Sequence, residues 1–391
     1  MEPFALERYF ALHEFSAPYL LSPSDTEPRS LRDIINRADP ECRERWESLM
    51  LGYTESRGMP ALREAIADFV SDSSNAPAGS LSADDVLVFS CAEEAIYTVA
   101  RALLRPGDRV ACMWPAYQSL FQVALNTGAV IHPIQAAYVE GAWDITEDAI
   151  DRAISAGTRL IVANVPHNPT GMVPSPASWN RLLEQVRASG GTFFADEVYR
   201  PLRGASASLP SSPVIAKNIQ AISLGSVSKA FGLAGVRIGW IVCKDHSLLR
   251  SLEEYKDYTT ICASAPAEIL ALIALRNWRA LVDEQRSIVQ SNRELFASFQ
   301  AAYSRLVEGA YGEAGSTCFP KWLGPGTARQ MADRAVSDAG VMVLPGDTFD
   351  PNNLGGGCTD VGQRFRVGLG RRSFSTVLDR FADHLSDAYG A

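Results

Sequence analysis

The 391-residue chain has no apolar run long enough to cross a bilayer. One of the longest, Ile269-Leu270-Ala271-Leu272-Ile273-Ala274-Leu275, is far shorter than a membrane span. It has no basic stretch, and its formal net charge is −9, which argues against a nucleic-acid partner. Residues 1–20 lack the basic start and apolar middle of a signal peptide. No Cys-x-x-Cys pair and no His-rich cluster occurs. The seven cysteines, at 42, 91, 112, 243, 262, 318 and 358, are odd in number and read as reduced thiols of a cytoplasmic protein with no metal site. Internal repeats and low-complexity linkers are also absent. The Gly355-Gly356-Gly357 run reads as a loop or turn.

What is present is a large apolar content, 47%, enough for a core bigger than one simple domain. From residue 85 short apolar runs alternate with amphipathic stretches. Strands are expected at 86–89, 109–112, 129–131, 159–163, 191–195, 221–224 and 238–242, with helices at 93–104, 118–126 and 176–188. That rhythm predicts an α/β fold with a mostly parallel sheet covered on both faces. After residue 276 the texture changes to a long helical stretch over about 276–308, strand-like pieces such as 341–344, and a final helix. The first 45 residues show no strand–helix rhythm. The expected organisation is therefore a three-layer α/β/α domain over 48–275. A smaller α+β domain would be built from 1–47 and 276–391.

Five motifs sit at or after the strands. Ser226-Val227-Ser228-Lys229, with Arg237 eight residues beyond the lysine, places an amine between apolar segments. Such an amine can attack a carbonyl, beside hydroxyls and a guanidinium suited to a phosphate. Asp196, in Ala195-Asp196-Glu197-Val198-Tyr199, ends a strand. It is placed either to cap the next helix or to keep a pyridine nitrogen protonated. Asn164-Val165-Pro166-His167-Asn168-Pro169-Thr170-Gly171 reads as a tight turn, or as a turn that presents Asn168 to a phenolic oxygen; His167 reads as structural. Ser90-Cys91-Ala92-Glu93-Glu94 reads as an ordinary helix start with acidic residues in its first turn, or as an anion site at a helix N-terminus. Tyr117, in Trp114-Pro115-Ala116-Tyr117, is either core or a stacking platform.

Together, in this order, the motifs resemble class I/II aminotransferases of pyridoxal-5′-phosphate (PLP) fold type I, over about residues 50–370. The resemblance implies that Lys229 holds PLP as a Schiff base and later moves the substrate's Cα proton. Asp196 would pair with the pyridine nitrogen, Asn168 and Tyr199 would bind the phenolic oxygen, and Tyr117 would stack on the ring. Ser90, Cys91, Ala92, Ser226, Ser228 and Arg237 would surround the phosphate. Tyr53 would reach the phosphate of a neighbouring subunit, making the protein an obligate homodimer, and Arg366 would bind the substrate α-carboxylate.

Two departures from the family pattern stand out. Cys91 replaces the usual glycine of the phosphate loop. Thr259 and Thr260 fall where aspartate-type enzymes carry a partner-subunit arginine for a distal carboxylate. In addition, Asp25 and Glu27 lie where the family's N-terminal loop covers the substrate. With Gly315-Ser316-Thr317-Cys318-Phe319-Pro320 they resemble the capreomycidine synthase-like branch, which cyclises hydroxyarginines. The expected activity is therefore transamination of an α-amino acid, with PLP-dependent cyclisation of an arginine-like substrate as the alternative. Asp25, Glu27, Thr259, Asn168 and Arg366 are the expected substrate contacts. Regulators that use this fold to bind effectors also carry a helix-turn-helix domain. Here the PLP-binding part begins within about 50 residues, and the balance is acidic, so that reading is the remote one.

Overall fold

The computed structural model describes residues 1–390 except 78, 205–207, 310–311, 313 and 357–359. Gly357 and Cys358 lie outside the described residues. Its centre is an eight-stranded sheet made of β1 (Val86–Phe89), β2 (Arg109–Trp114), β3 (Val130–Val139), β4 (Ala142–Ile145), β5 (Thr158–Asn164), β6 (Thr192–Asp196), β7 (Ala221–Ser226) and β8 (Gly239–Val242). The spatial order is β1-β8-β7-β6-β5-β2-β3-β4. The neighbours β7-β6-β5-β2-β3 are parallel, β8 runs antiparallel to both β1 and β7, and β4 runs antiparallel to β3.

Side-chain alternation explains why this sheet is buried on both faces. In β2, Val110, Cys112 and Trp114 enter one apolar core while Ala111 and Met113 enter another. In β5, Leu160 and Val162 part from Ile161 and Ala163 in the same way. A strand with two apolar faces reads as a continuous run, which is why these segments stood out in the sequence. The expected strands all occur, within a few residues of the expected limits. β3 is longer than expected, and β4 was missed. The long helical stretch proves to be Trp278–Ala302, preceded by a separate helix, Ala265–Arg276.

The N-terminal residues do have structure. Helix α1 (Ala5–His13) is followed by the short strand Tyr19–Leu20, which pairs in parallel with Val341–Met342. Helices Leu31–Asn36 and Pro40–Glu47 pack on Ala265–Arg276, and Ile34 and Cys42 join the core of the large sheet. Among the described residues, no helix is long and apolar enough to cross a membrane.

Candidate active site

The parallel strands end on one side of the sheet, and their C-terminal ends open into a cavity of about 540 Å³. Strand ends supply its floor, as open α/β sheets generally do. Asn164 closes β5 and Asp196 closes β6, and the Asn164 amide donates to the Asp196 carbonyl at 3.1 Å. The Asn164 side-chain oxygen then accepts from the Asn168 backbone at 2.6 Å, fixing the turn that carries Asn168 to the cavity. His167 faces away from the cavity, bonded to Thr170 at 2.8 Å; burial pulls its imidazole down to about 4.

Among the described residues, the Asp196 carboxylate accepts only from the Val198 amide, at 3.2 Å, and it is pushed up to about 7. Burial is the main cause; the Val198 amide opposes it and Glu93 adds to it. The adjacent Glu197 is differently placed. It is fully engaged by Arg200 at 2.7 Å, Ser212 at 2.6 Å and the Ser223 hydroxyl. Of two neighbouring buried acids, one is neutralised by the protein and the other is left for a ligand.

β7 delivers the lysine. Ser226 accepts from the Ser228 amide at 2.9 Å, turning the chain so that Lys229 enters the cavity, where Nζ donates to the Ser24 hydroxyl at 3.0 Å. Arg237 lines the same wall with φ +58°, a left-handed conformation that costs about 1 kcal/mol for a non-glycine residue. Ala92, the first residue of helix α2 (Ala92–Leu103), points the helix N-terminus at this wall.

Arg366 comes from the far side, on the strand Phe365–Gly368. It is 2% exposed, donates to the Ser22 carbonyl at 3.0 Å and to Asn168 Oδ1 at 3.2 Å, and lies between the rings of Phe10 and Phe349. Among the described residues it makes no ion pair. A buried guanidinium with only neutral partners is poised for an anion.

The cover is N-terminal. Phe4, Leu6, Glu7, Phe10 and Glu14 of α1 and its ends line the cavity, followed by Pro23, Ser24 and Asp25. The segment 21–28 is held at several points. The Ser22 hydroxyl donates to the Arg366 carbonyl at 2.8 Å, and Thr26 donates to the Lys229 carbonyl at 2.7 Å. Two glycines make room for it: a Cβ on Gly368 would overlap the Pro23 carbonyl, and one on Gly232, at φ +69°, the Glu27 carbonyl.

The cavity thus gathers Lys229, Ala92, Tyr117, Asn168, Asp196, Tyr199, Ser226, Ser228, Arg237, Arg366 and Asp25 of the expected residues. It does not gather the others. The Ser90 amide donates to Glu94 at 2.8 Å, and Cys91 accepts from the Glu94 amide at 3.4 Å, capping α2. Thr259 and Thr260 also donate to Glu94 rather than facing the cavity. Glu27 turns outward to the Arg372 amide at 2.9 Å, and Asp25 already pairs with Arg371 at 2.9 Å, so the two are not a free carboxylate pair. Tyr53 is 90% exposed on the single chain. Sequence reasoning missed Ser24, the α1 residues, and Glu93, whose position in a helix first turn concealed a cavity-facing side chain.

The sequence profile of the family described as aminotransferase class I and II matches residues 36–369. Capreomycidine synthase from Streptomyces vinaceus is 31% identical over 66% of this chain; the match spans 65% of that protein, just under two thirds of its length. Arginine–pyruvate transaminase from Pseudomonas aeruginosa is 29% identical, covering 79% of this chain and 78% of the relative. The solved structure of the PLP-dependent cyclase OrfR superposes with a TM-score of 0.84 at 25% identity, over 99% of this chain and 97% of that one.

Proposed function

The chain belongs to the aminotransferase class I and II family, a PLP-dependent family, and from that premise we propose that it transfers the amino group of an α-amino acid. The residues fit the cofactor. The cavity holds a free lysine amine, a buried carboxylate without a cation, and a wall of hydroxyls, a guanidinium and a helix N-terminus. Bound there, PLP supplies an aldehyde for the substrate's amino group and a ring that accepts the electron pair left when a Cα bond breaks.

The protein's own groups have separable tasks in this reading. Lys229 Nζ would anchor the aldehyde carbon, give up that bond to the incoming substrate amine, and then, as the freed amine, take the proton from Cα. Asp196 keeps the ring nitrogen protonated, and its raised carboxyl returns to the ionised form when a cation sits beside it. Asn168 and Tyr199 would hold the phenolic oxygen, and Tyr117 would stack on the ring. Ser226, Ser228, Arg237 and the Ala92 amide hold the phosphate, with Ser90 and Cys91 shaping the loop behind it. The unpaired Arg366 carries the amino-acid reading, because it selects the α-carboxylate.

Transamination and cyclisation share these steps up to loss of the proton. The similarity to OrfR and to capreomycidine synthase supports the second reading, elimination and ring closure on an arginine-like substrate. Adding single amino acids to holoenzyme and analysing the products distinguishes them: transamination yields a keto acid, cyclisation a product that keeps its α-amine. No reaction with any amino acid, or an unchanged response in Arg366→Lys, overturns the proposal.

The protein is proposed to be a cytoplasmic homodimer with a shared site. Met50, Leu51 and Tyr53 are exposed beside Tyr258 and Ile261, the two segments being tied by Ser56 donating to the Ile261 carbonyl at 2.9 Å. A second copy covering this apolar surface would place Tyr53 at the partner's phosphate.

A further inference from the structure

Five carboxylates line the cavity: Glu7, Glu14, Asp25, Glu93 and Asp196. Asp25 is paired with Arg371, and Asp196 sits at the floor where the ring nitrogen is expected. The other three have no ion-pair partner among the described residues. Glu93 is the most enclosed of them. It stands at the second position of α2, open to the cavity, and among the described residues its side-chain partner is the Ser119 hydroxyl. Glu7, on α1, and Glu14, the helical residue that caps its C-terminus, lie seven residues apart, so they share one face, with Phe10 between them. Among the described residues, Glu7 accepts only a long bond, 3.5 Å, from the Tyr117 hydroxyl.

Such a wall is unstable on its own. Burial and the facing acids hold both Glu93 and Glu14 above the usual carboxylate range; for Glu93 the facing acid is Glu7, and for Glu14 they are Asp25 and Glu7. Lys229 and Arg237 oppose this for Glu93, but in the reading above the lysine binds the aldehyde and Arg237 the phosphate. In the loaded enzyme Glu93 is then left with no cation of the protein's own. Arg366 is the independent sign of what enters: it is buried, unpaired and faces the same cavity. A ligand that satisfies both sides carries a carboxylate for Arg366 and a positive charge elsewhere.

We propose that Glu93, with Glu7 and Glu14 facing it from α1, recognises a cationic side-chain terminus, so that the substrate is a basic α-amino acid. This rests on the assignment of the cavity to an α-amino acid. It also transfers substrate selection from Asp25 and Glu27, which the protein itself satisfies, to residues on two other elements. An ammonium or guanidinium among three carboxylates gains charge-assisted hydrogen bonds that a neutral chain of equal length does not.

The test uses PLP-loaded protein titrated separately with L-arginine, L-lysine, L-norleucine and L-glutamate, following the visible absorbance of the cofactor. Arginine or lysine is expected to bind at least roughly tenfold more tightly than norleucine, and glutamate most weakly. In Glu93→Gln the ratio of cationic to norleucine affinity should fall roughly tenfold. Glu7→Gln, at the exposed rim, should lower it less and serves if Glu93→Gln does not fold. Norleucine or glutamate binding as tightly as both basic amino acids overturns the inference, as does an unchanged ratio in both variants. A spectrum that responds to none of the four overturns the amino-acid assignment as well, which separates the two failures.

Discussion

The floor and the cover of the cavity are built on different principles. The floor consists of strand ends and the turns after them. Its groups are positioned by near neighbours in sequence: Asn168 by Asn164, Ser228 by Ser226, Asp196 by Val198. The cover, residues 4–28, is positioned by partners such as Arg366, Arg371 and the Lys229 carbonyl, 203 to 346 residues away. Chemistry common to a family belongs on a rigid floor. A cover can share in the choice of substrate, as Glu7 and Glu14 would with Glu93, and be redrawn without disturbing the sheet.

The sharpest test of the division is Lys229→Ala. It removes the floor's nucleophile and proton carrier while leaving the cover's contacts to the lysine backbone. Turnover should fall roughly 10⁴-fold or more, with the fold and the thermal midpoint nearly unchanged. A borohydride-reducible PLP adduct in that variant would show that another lysine is the anchor.

Next in size is the pH dependence of the floor without its cofactor. Asp196 has a native value near 7 against an ordinary 3.8, so between roughly pH 4 and 7 the folded apo-protein binds more protons than the unfolded chain. Its stability must therefore fall as pH rises through that window, by up to about 4 kcal/mol, and level off above it. Asp196→Asn should remove most of the slope, and restoring PLP should flatten it in the wild type. Denaturant titrations of apo and holo protein at several pH values measure both; equal slopes in wild type and variant would contradict the assignment.

The cover responds to smaller changes. Gly368→Ala puts a methyl group where the Pro23 carbonyl lies, and because that obstacle is backbone it cannot rotate away. A loss of about 1–3 kcal/mol is expected, with faster proteolysis before residue 30 and weaker amino-acid binding, while PLP is still retained. Release of PLP together with the cover would break the distinction between the two regions. The smallest effect belongs to Asp25→Asn, which breaks a partly buried pair with Arg371 and should cost about 1 kcal/mol or less. Hydrogen exchange at residues 21–28 is the sensitive measure there.

The same contrast decides what could be read from the sequence. The floor was legible because its strands are apolar on both faces and its motifs are local, so Asp196, Asn168, Tyr199, Ser226 and Lys229 emerge from short windows. The cover was not. α1 is nine residues long, and nothing near Glu7 or Glu14 announces a cavity. Asp25 and Glu27 were noticed, but their partners, Arg371 and the Arg372 amide, lie at the other end of the chain, so two satisfied carboxylates looked free. Glu93 shows the opposite error, since a residue type suited to a helix start hid a functional position. Thr259, expected from the resemblance to be a substrate contact, donates to Glu94 within its own chain.

Ser24, which touches the reactive amine, has a consequence for how the molecule comes into being. The strands that carry the floor have all left the ribosome once residue 242 has emerged, and the chain folds in units as it is made. Tyr19–Leu20 must wait for Val341–Met342, and Ser22 and Asp25 for Arg366 and Arg371. During that interval the amine of Lys229 stands open, and the cofactor can reach it before the N-terminal segment settles. Residues 19–25 are thus made long before they can find their places, and a ribosome stalled before residue 366 would display a nearly finished floor with no roof.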